Sequence, residues 1–166
     1  IYQDDVYKGL RKLAGLLWER NVRNVDFDEA RTAIDRDCHW DHSLIRALES
    51  AGVLIRAVAQ SGEPAIAFAY DMMAGHQIAK QLLAQPTLPQ WLQSEEARTA
   101  FSRRAGAHTY SSDVFRALVS LYPKRWDGRP LWQDLPQDMY LPALLLTAEA
   151  DAAYIGRDTV ERFAQE

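Results

Sequence analysis

Apolar residues recur along the chain at two different periods. Val6, Leu10, Leu13 and Leu17 repeat at intervals of four, three and four. That spacing predicts an amphipathic helix over residues 4–20, with Lys8, Arg11, Lys12, Glu19 and Arg20 on its wet side. Asn21 to Asn24 break the pattern. Asp26 then predicts an N-cap, with Glu29 as its capping-box partner and Phe27, Ala30 and Ile34 as the inner face of a second helix. Asp41 or Ser43 is the expected cap of a third helix. Its apolar face is Leu44, Ile45 and Leu48, and Gly52 is its left-handed stop. The period then shortens to two. Val53, Leu54 and Ile55 read as a strand, and Ser61-Gly62-Glu63-Pro64 as a turn. Ile66, Phe68 and Tyr70 alternate with alanines and should share one face of a second strand. Asp71 is the expected cap of a fourth helix, with Met72, Met73, Ile78, Ala79, Leu82 and Leu83 as its buried stripe and Pro86 and Pro89 beyond its end.

Three helices, a hairpin and a fourth helix predict a mainly α fold of winged-helix type over residues 1–87. Composition changes after Pro86-Thr87-Leu88-Pro89, so residues 88–166 are expected to form a small helical domain. Ser94 predicts the cap of a helix to about Arg104, ended by Gly106. Ser111 or Ser112 predicts the cap of another, with Val114, Phe115, Leu118, Val119 and Leu121 inside and Pro123 as its stop. Leu131 to Leu135 reads as one helical turn, residues 141–155 as a helix, and residues 158–166 as the start of another that is cut short. A chain starting at Ile1, without an initiating Met or a signal peptide, reads as a piece of a longer protein.

The 166 residues are 48% apolar and 25% charged, enough to form a core. No apolar run reaches the ~20 residues that span a bilayer. One cysteine, Cys38, leaves no internal disulfide and suits a reducing, cytoplasmic compartment. The net charge of −4 argues against nucleic acid, whose binding rests on Lys and Arg. The third helix, at the recognition position, carries only Arg46 against Asp41 and Glu49, and the hairpin adds only Arg56.

Candidate chemistry is sparse. Cys38-His39-Trp40-Asp41-His42 is the densest ligand-like cluster, but no second pair completes a zinc set, so no metal is expected. His76 reads as a helical histidine, with pH or ligand sensing as the alternative. His108 with Ser111, Ser112 and Asp113 invites a catalytic triad, but without a nucleophile elbow the serines read as caps. The pairs Asp4/Asp5, Asp26/Asp28 and Asp35/Asp37 read as capping or solvated acids. Trp91, Trp126 and Trp132 either bury singly or form an interface patch. No phosphate-cradling Gly-rich loop is present.

One resemblance enters here. Leu48, Gly52-Val53-Leu54, the hairpin, then Phe68-Ala69-Tyr70-Asp71 with Ile78-Ala79 and Leu82-Leu83 resemble the winged-helix segment of STAND-type P-loop NTPases. That family includes NACHT proteins and related bacterial anti-phage sensors. His108-Thr109-Tyr110-Ser111-Ser112-Asp113, with Leu118 and Pro123, is similar to the helical segment that follows in bacterial members, so the likeness covers residues 1–125. It implies a non-catalytic regulatory module that packs on a nucleotide-binding domain of the same polypeptide. ATP or ADP and Mg would sit in that other domain, and nucleotide exchange would release a homo-oligomer. Tyr70 stands where NACHT members place a nucleotide-sensing histidine, so it is the expected cofactor contact; its hydroxyl can donate a hydrogen bond. Met73 and Gly75 depart from the Phe and Glu often found at the start of that helix. The other readings are a winged-helix transcription regulator with a helical dimerisation or ligand domain, and an enzyme of unrecognised type.

Overall fold

A computed structural model describes residues 3–36, 43–59, 61–102, 107–147 and 155–165. Helix α1 (Gln3–Arg20) buries Leu10, Leu13, Ala14 and Leu17, the face its spacing predicts. It ends at Asn21, whose φ of 53° is a left-handed stop that Asn tolerates better than most residues. A two-residue strand, β1 (Val25–Asp26), follows, and Asp26 doubles as the cap of α2 (Phe27–Asp35). Its carboxylate accepts from the backbone N–H groups of Asp28 at 2.9 Å and Glu29 at 3.1 Å. Half of the expected capping box forms there, and the Glu29 side chain pairs with Arg20.

Helix α3 (Leu44–Ser50) starts from two caps. Ser43 accepts from the Arg46 N–H, and Asp35, at the end of α2, accepts from the Leu44 N–H at 2.8 Å. Strands β2 (Leu54–Val58) and β3 (Pro64–Phe68) form the expected antiparallel hairpin, with Leu54 opposite Phe68 and Val58 opposite Pro64. The alternation of side chains missed one feature. Val25 pairs with Ile66, so β1 joins the far edge of β3 and the sheet order is β1-β3-β2. As the central strand, β3 buries Ala65 and Ala67 as well as Ile66 and Phe68. Tyr70 does not continue that face: it lies beyond the strand and is 67% exposed.

Helix α4 (Asp71–Leu83) departs from its expected cap and stripe. Tyr70 is the N-cap and makes no side-chain cap bond, while Asp71 is the first helical residue. Ala74, Gly75, Ile78, Ala79, Leu82 and Leu83 are buried, Met73 is half-buried, and Met72 is exposed. Met72 lies within about 20° of Ala79 and Leu83 around the helix, but stands in its first turn and stays exposed. Pro89 opens α5 (Leu88–Leu92) instead of merely following a helix, a position where its missing N–H costs nothing. Ser94 caps α6 (Glu95–Ala100) as expected, accepting from the Ala97 N–H at 3.1 Å. This helix stops short of Arg104 because Phe101 leaves helical geometry; Gly106, its expected stop, lies outside the described residues.

Helix α7 (Ser111–Arg125) has Tyr110, not a serine, at its N-cap, and Pro123 lies inside its last turn. The left-handed Asp127 and Gly128 terminate the chain's turn instead. A short 3-10 turn (Leu131–Asp134) precedes α8 (Gln137–Thr147), which Pro136 opens four residues before the expected start; its Pro142 lies inside the helix. The chain continues to α9 (Arg157–Gln165). Residues 148–154, the remainder of one expected helix, are outside the described set.

The core runs without interruption from Leu13 and Leu17 of α1 through Ile78 of α4 to Leu118 of α7 and Leu88 of α5. The expected boundary at residue 87 therefore falls within one shared apolar interior. Its tightest seam joins α4 to α7. A Cβ on Gly75 would stand 2.7 Å from the Asp113 carbonyl carbon and 2.9 Å from the Val114 nitrogen. Farther along α7, the buried Tyr122 hydroxyl donates to Asp134 at 2.6 Å, and Arg129 pairs with the same carboxylate.

Backbone cannot yield as a flexible side chain can, so Gly75→Ala should cost about 1–3 kcal/mol. Urea unfolding monitored by tryptophan fluorescence and by circular dichroism tests this. The two probes should shift together to lower midpoints, because both halves share the seam.

Candidate functional site

The start of α4 gathers the residues that the sequence singled out. The turn out of β3 leaves Tyr70 extended, with φ −135° and ψ 132°, and its phenol projects from the surface. Met72, two residues on, is 69% exposed. Between them Asp71 turns back and pairs with Arg23 of the α1–β1 connection. The Arg23 guanidinium lies 5.9 Å from the centre of the Tyr110 ring, and the Tyr110 hydroxyl donates to the Arg23 carbonyl at 3.0 Å. Burial and the Asp71 charge push the Tyr110 phenol up to about 12, against the opposing pull of Arg23. It is therefore a neutral donor at any ordinary pH. Three chain segments are thus locked together beneath an exposed aromatic and an exposed thioether.

The Tyr70 hydroxyl has no hydrogen-bond partner among the described residues. An exposed phenol can donate to an oxygen acceptor such as a phosphate or a carbonyl.

The other candidate residues are distributed elsewhere. His108 does not face a serine nucleophile. Its ring stacks on Trp18 with centroids 3.7 Å apart, and Nε2 lies 2.6 Å from the Trp18 carbonyl. Nδ1 accepts from the Tyr110 N–H at 3.3 Å. A neutral imidazole with the proton on Nε2 satisfies both bonds, and burial lowers the pKa more than the Trp18 carbonyl raises it. Asp113 packs against Gly75 instead of orienting the histidine. His76 is half-buried, and burial, Lys80 and Lys124 lower its pKa in that order.

The three later tryptophans do not form one patch. Trp91 meets Trp18 and Phe101, Trp126 stacks on Tyr122 at 4.4 Å, and the Trp132 indole donates to Thr159 at 3.4 Å. Asp26 and Asp35 are caps, as read from the sequence. Cys38, His39 and His42 lie outside the described residues, and among those described no group of three or more His, Cys, Asp and Glu could hold a metal ion. No helix among the described residues is long and apolar enough to cross a membrane.

Sequence reasoning missed the Asn21–Thr109 junction. The Asn21 side-chain oxygen accepts from the Thr109 N–H at 2.7 Å and from its hydroxyl at 2.8 Å. The one local signal was an Asn directly after a helical Arg20, which marks a left-handed stop but not what its amide then meets.

For both histidines the folded pKa lies below the ordinary value of 6.5, so the unfolded chain binds protons more readily. Stability is then held above about pH 6.5 and lost as pH falls below it. His108→Gln should cost about 1 kcal/mol at pH 7.5 through the altered hydrogen bonds. Its stability should fall less between pH 7.5 and 5 than that of the parent. Urea unfolding of both chains at the two pH values gives the comparison, and equal losses would assign the pH dependence elsewhere.

No protein-family model, no curated protein and no solved structure matches this chain.

Proposed function

We propose that residues 3–83 form a winged helix and that the chain is a non-catalytic regulatory segment of a STAND-like, multidomain NTPase. The observation that carries the reading is non-local: a short strand between the first two helices pairs with the second strand of the hairpin, giving the order β1-β3-β2. In this reading α3 takes the recognition position and β2–β3 the wing, and the order helix, strand, helix, helix, strand, turn and strand supports it. In this reading Tyr70 and Met72 meet a nucleotide-binding domain of the same polypeptide. The Tyr70 hydroxyl helps to retain ADP there, and its release, with ATP and Mg taking its place, permits homo-oligomerisation in the cytoplasm. Anti-phage defence is the setting that the family likeness suggests.

Charge separates this reading from a DNA-binding regulator. Arg56, the basic residue of the wing, bonds to Glu49 of α3 at 2.9 Å and lies over the Phe27 ring at 4.3 Å. Arg46 is exposed on α3. A wing arginine already neutralised by the recognition helix has little positive potential left for phosphate.

The decisive experiment uses the polypeptide encoded with its upstream region. Tyr70→Ala should speed release of a fluorescent ADP analogue about tenfold, which is ~1.4 kcal/mol of lost interaction. The 166-residue chain alone should bind duplex DNA no more tightly than the micromolar non-specific range at physiological salt. Salt-resistant, sequence-specific DNA binding, or an upstream region without a phosphate-binding loop, would overturn the proposal.

A further inference from the structure

The seam between α4 and α7 ends in a shallow groove of about 280 Å³. Both helices reach it at their last turns and bring side chains at the same spacing. From α4 and its C-cap come Lys80, Leu83 and Ala84, at i, i+3 and i+4. From α7 come Leu121, Lys124 and Arg125, again at i, i+3 and i+4. That spacing holds each set on one helix face. Leu83 is buried and Leu121 half-buried, so the floor is apolar, while Lys80, Lys124 and Arg125 are exposed at the rim.

The charge of this groove has one sign. Among the described residues that line it none is acidic. The cavity of about 470 Å³ at the far end of α1 is the opposite case, with Glu19 and Glu96 in its lining. Arg20, Arg23, Arg56 and Arg129 are paired with acids, whereas Lys80, Lys124 and Arg125 are in no ion pair among the described residues. Arg125 lies 5.4 Å from the centre of the Trp126 ring, a contact that leaves its charge in place. Lys80 and Lys124 both oppose a proton on His76, so the two ammonium groups share one side of the seam. The helix dipoles explain part of the arrangement, since each C-terminus carries about half a negative charge. Two such ends offset about one of the three cations and leave about two.

Floor and rim together select the occupant. A phosphate backbone is held by cations and gains nothing from a leucine floor. A lipid surface is held by apolar side chains that project into it, and these leucines are recessed. An apolar side chain between carboxylates matches both parts, because it fills the floor while its acidic neighbours reach the rim. We propose that the groove between the ends of α4 and α7 binds an acidic peptide segment of a partner protein, with a Leu or similar apolar residue flanked by Asp or Glu. Lys80 and Lys124 meet carboxylates as point charges, and Arg125 has the planar fork that takes one in a two-pronged pair. The groove lies at the opposite end of α4 from Tyr70 and does not rest on the nucleotide reading.

Titration of the 166-residue chain into a dye-labelled Asp-Glu-Leu-Glu-Asp peptide, followed by fluorescence anisotropy at low salt, tests this. Saturable binding with a Kd of about 1 mM or tighter is expected. An Asn-Gln-Leu-Gln-Asn peptide and an Asp-Glu-Gly-Glu-Asp peptide should each bind about tenfold more weakly, the first for want of charge and the second for want of the apolar residue. The triple variant Lys80→Gln/Lys124→Gln/Arg125→Gln should also lose about tenfold. All three positions are exposed, so the variant should fold, which circular dichroism checks; the two altered peptides decide the matter on the parent chain alone. Four results would each overturn the proposal: no saturation up to about 5 mM, equal affinity for either altered peptide, equal affinity in the triple variant, or displacement of the peptide by a short DNA duplex or by phosphatidylserine vesicles at lower charge concentration than by unlabelled peptide.

Discussion

The approach of α7 to α4 is the constraint on which the rest of the structure depends. Gly75 brings the two backbones closer than any side chain would allow. That contact fixes where α7 begins, and three things follow within four residues. His108 is laid on Trp18, Thr109 meets the Asn21 amide, and Tyr110 slides under Arg23. Each of these contacts joins the second half of the chain to the end of α1. The hairpin unit and the later helices therefore share an interior, because the helix that closes the former is the floor on which the latter is built.

Four close arginine–acid pairs among the described residues cross element boundaries. Arg20 meets Glu29, Arg23 meets Asp71, Arg56 meets Glu49, and Arg129 meets the largely buried Asp134. The exposed pairs contribute little to stability, typically about 0–1 kcal/mol each. Their larger consequence is for recognition. The net charge is −4, and the hairpin's Arg56 is neutralised by Glu49, so little positive field is left there. What the chain presents at the start of α4 is apolar, with Tyr70 and Met72 standing on either side of a neutralised ion pair.

These two surfaces divide the molecule's chemistry. The α4 start offers an exposed phenol and an exposed thioether beside the Arg23–Asp71 pair. The cavity at the far end of α1 is lined by two indoles and two carboxylates, Trp18, Trp91, Glu19 and Glu96. Trp18 links the second site to the fold itself, since the residue that lines the cavity also carries the His108 stack.

Much of the fold was legible because its causes are local. The α1 stripe, the caps at Asp26, Ser43 and Ser94, the left-handed Gly52 and the hairpin turn at Gly62 depend on neighbours within a few residues. The chain carries that information in its spacing and in the chemistry of its turns. Strand β1 was not legible, because two residues show no alternation and acquire strand character only from Ile66 and Ala65 forty residues away. Asp71 looked like a cap and became a partner of Arg23, while Met72 alone of the expected α4 stripe was left exposed, in the helix's first turn. The same holds for the candidate sites. Tyr70 could be named from the chain, but its exposure came from the end of β3. The cavity could not be named at all, since Trp18, Gln81, Trp91 and Glu96 share no local pattern. Periodicity fixes which elements form, whereas only packing between distant helices decides which of their side chains meet.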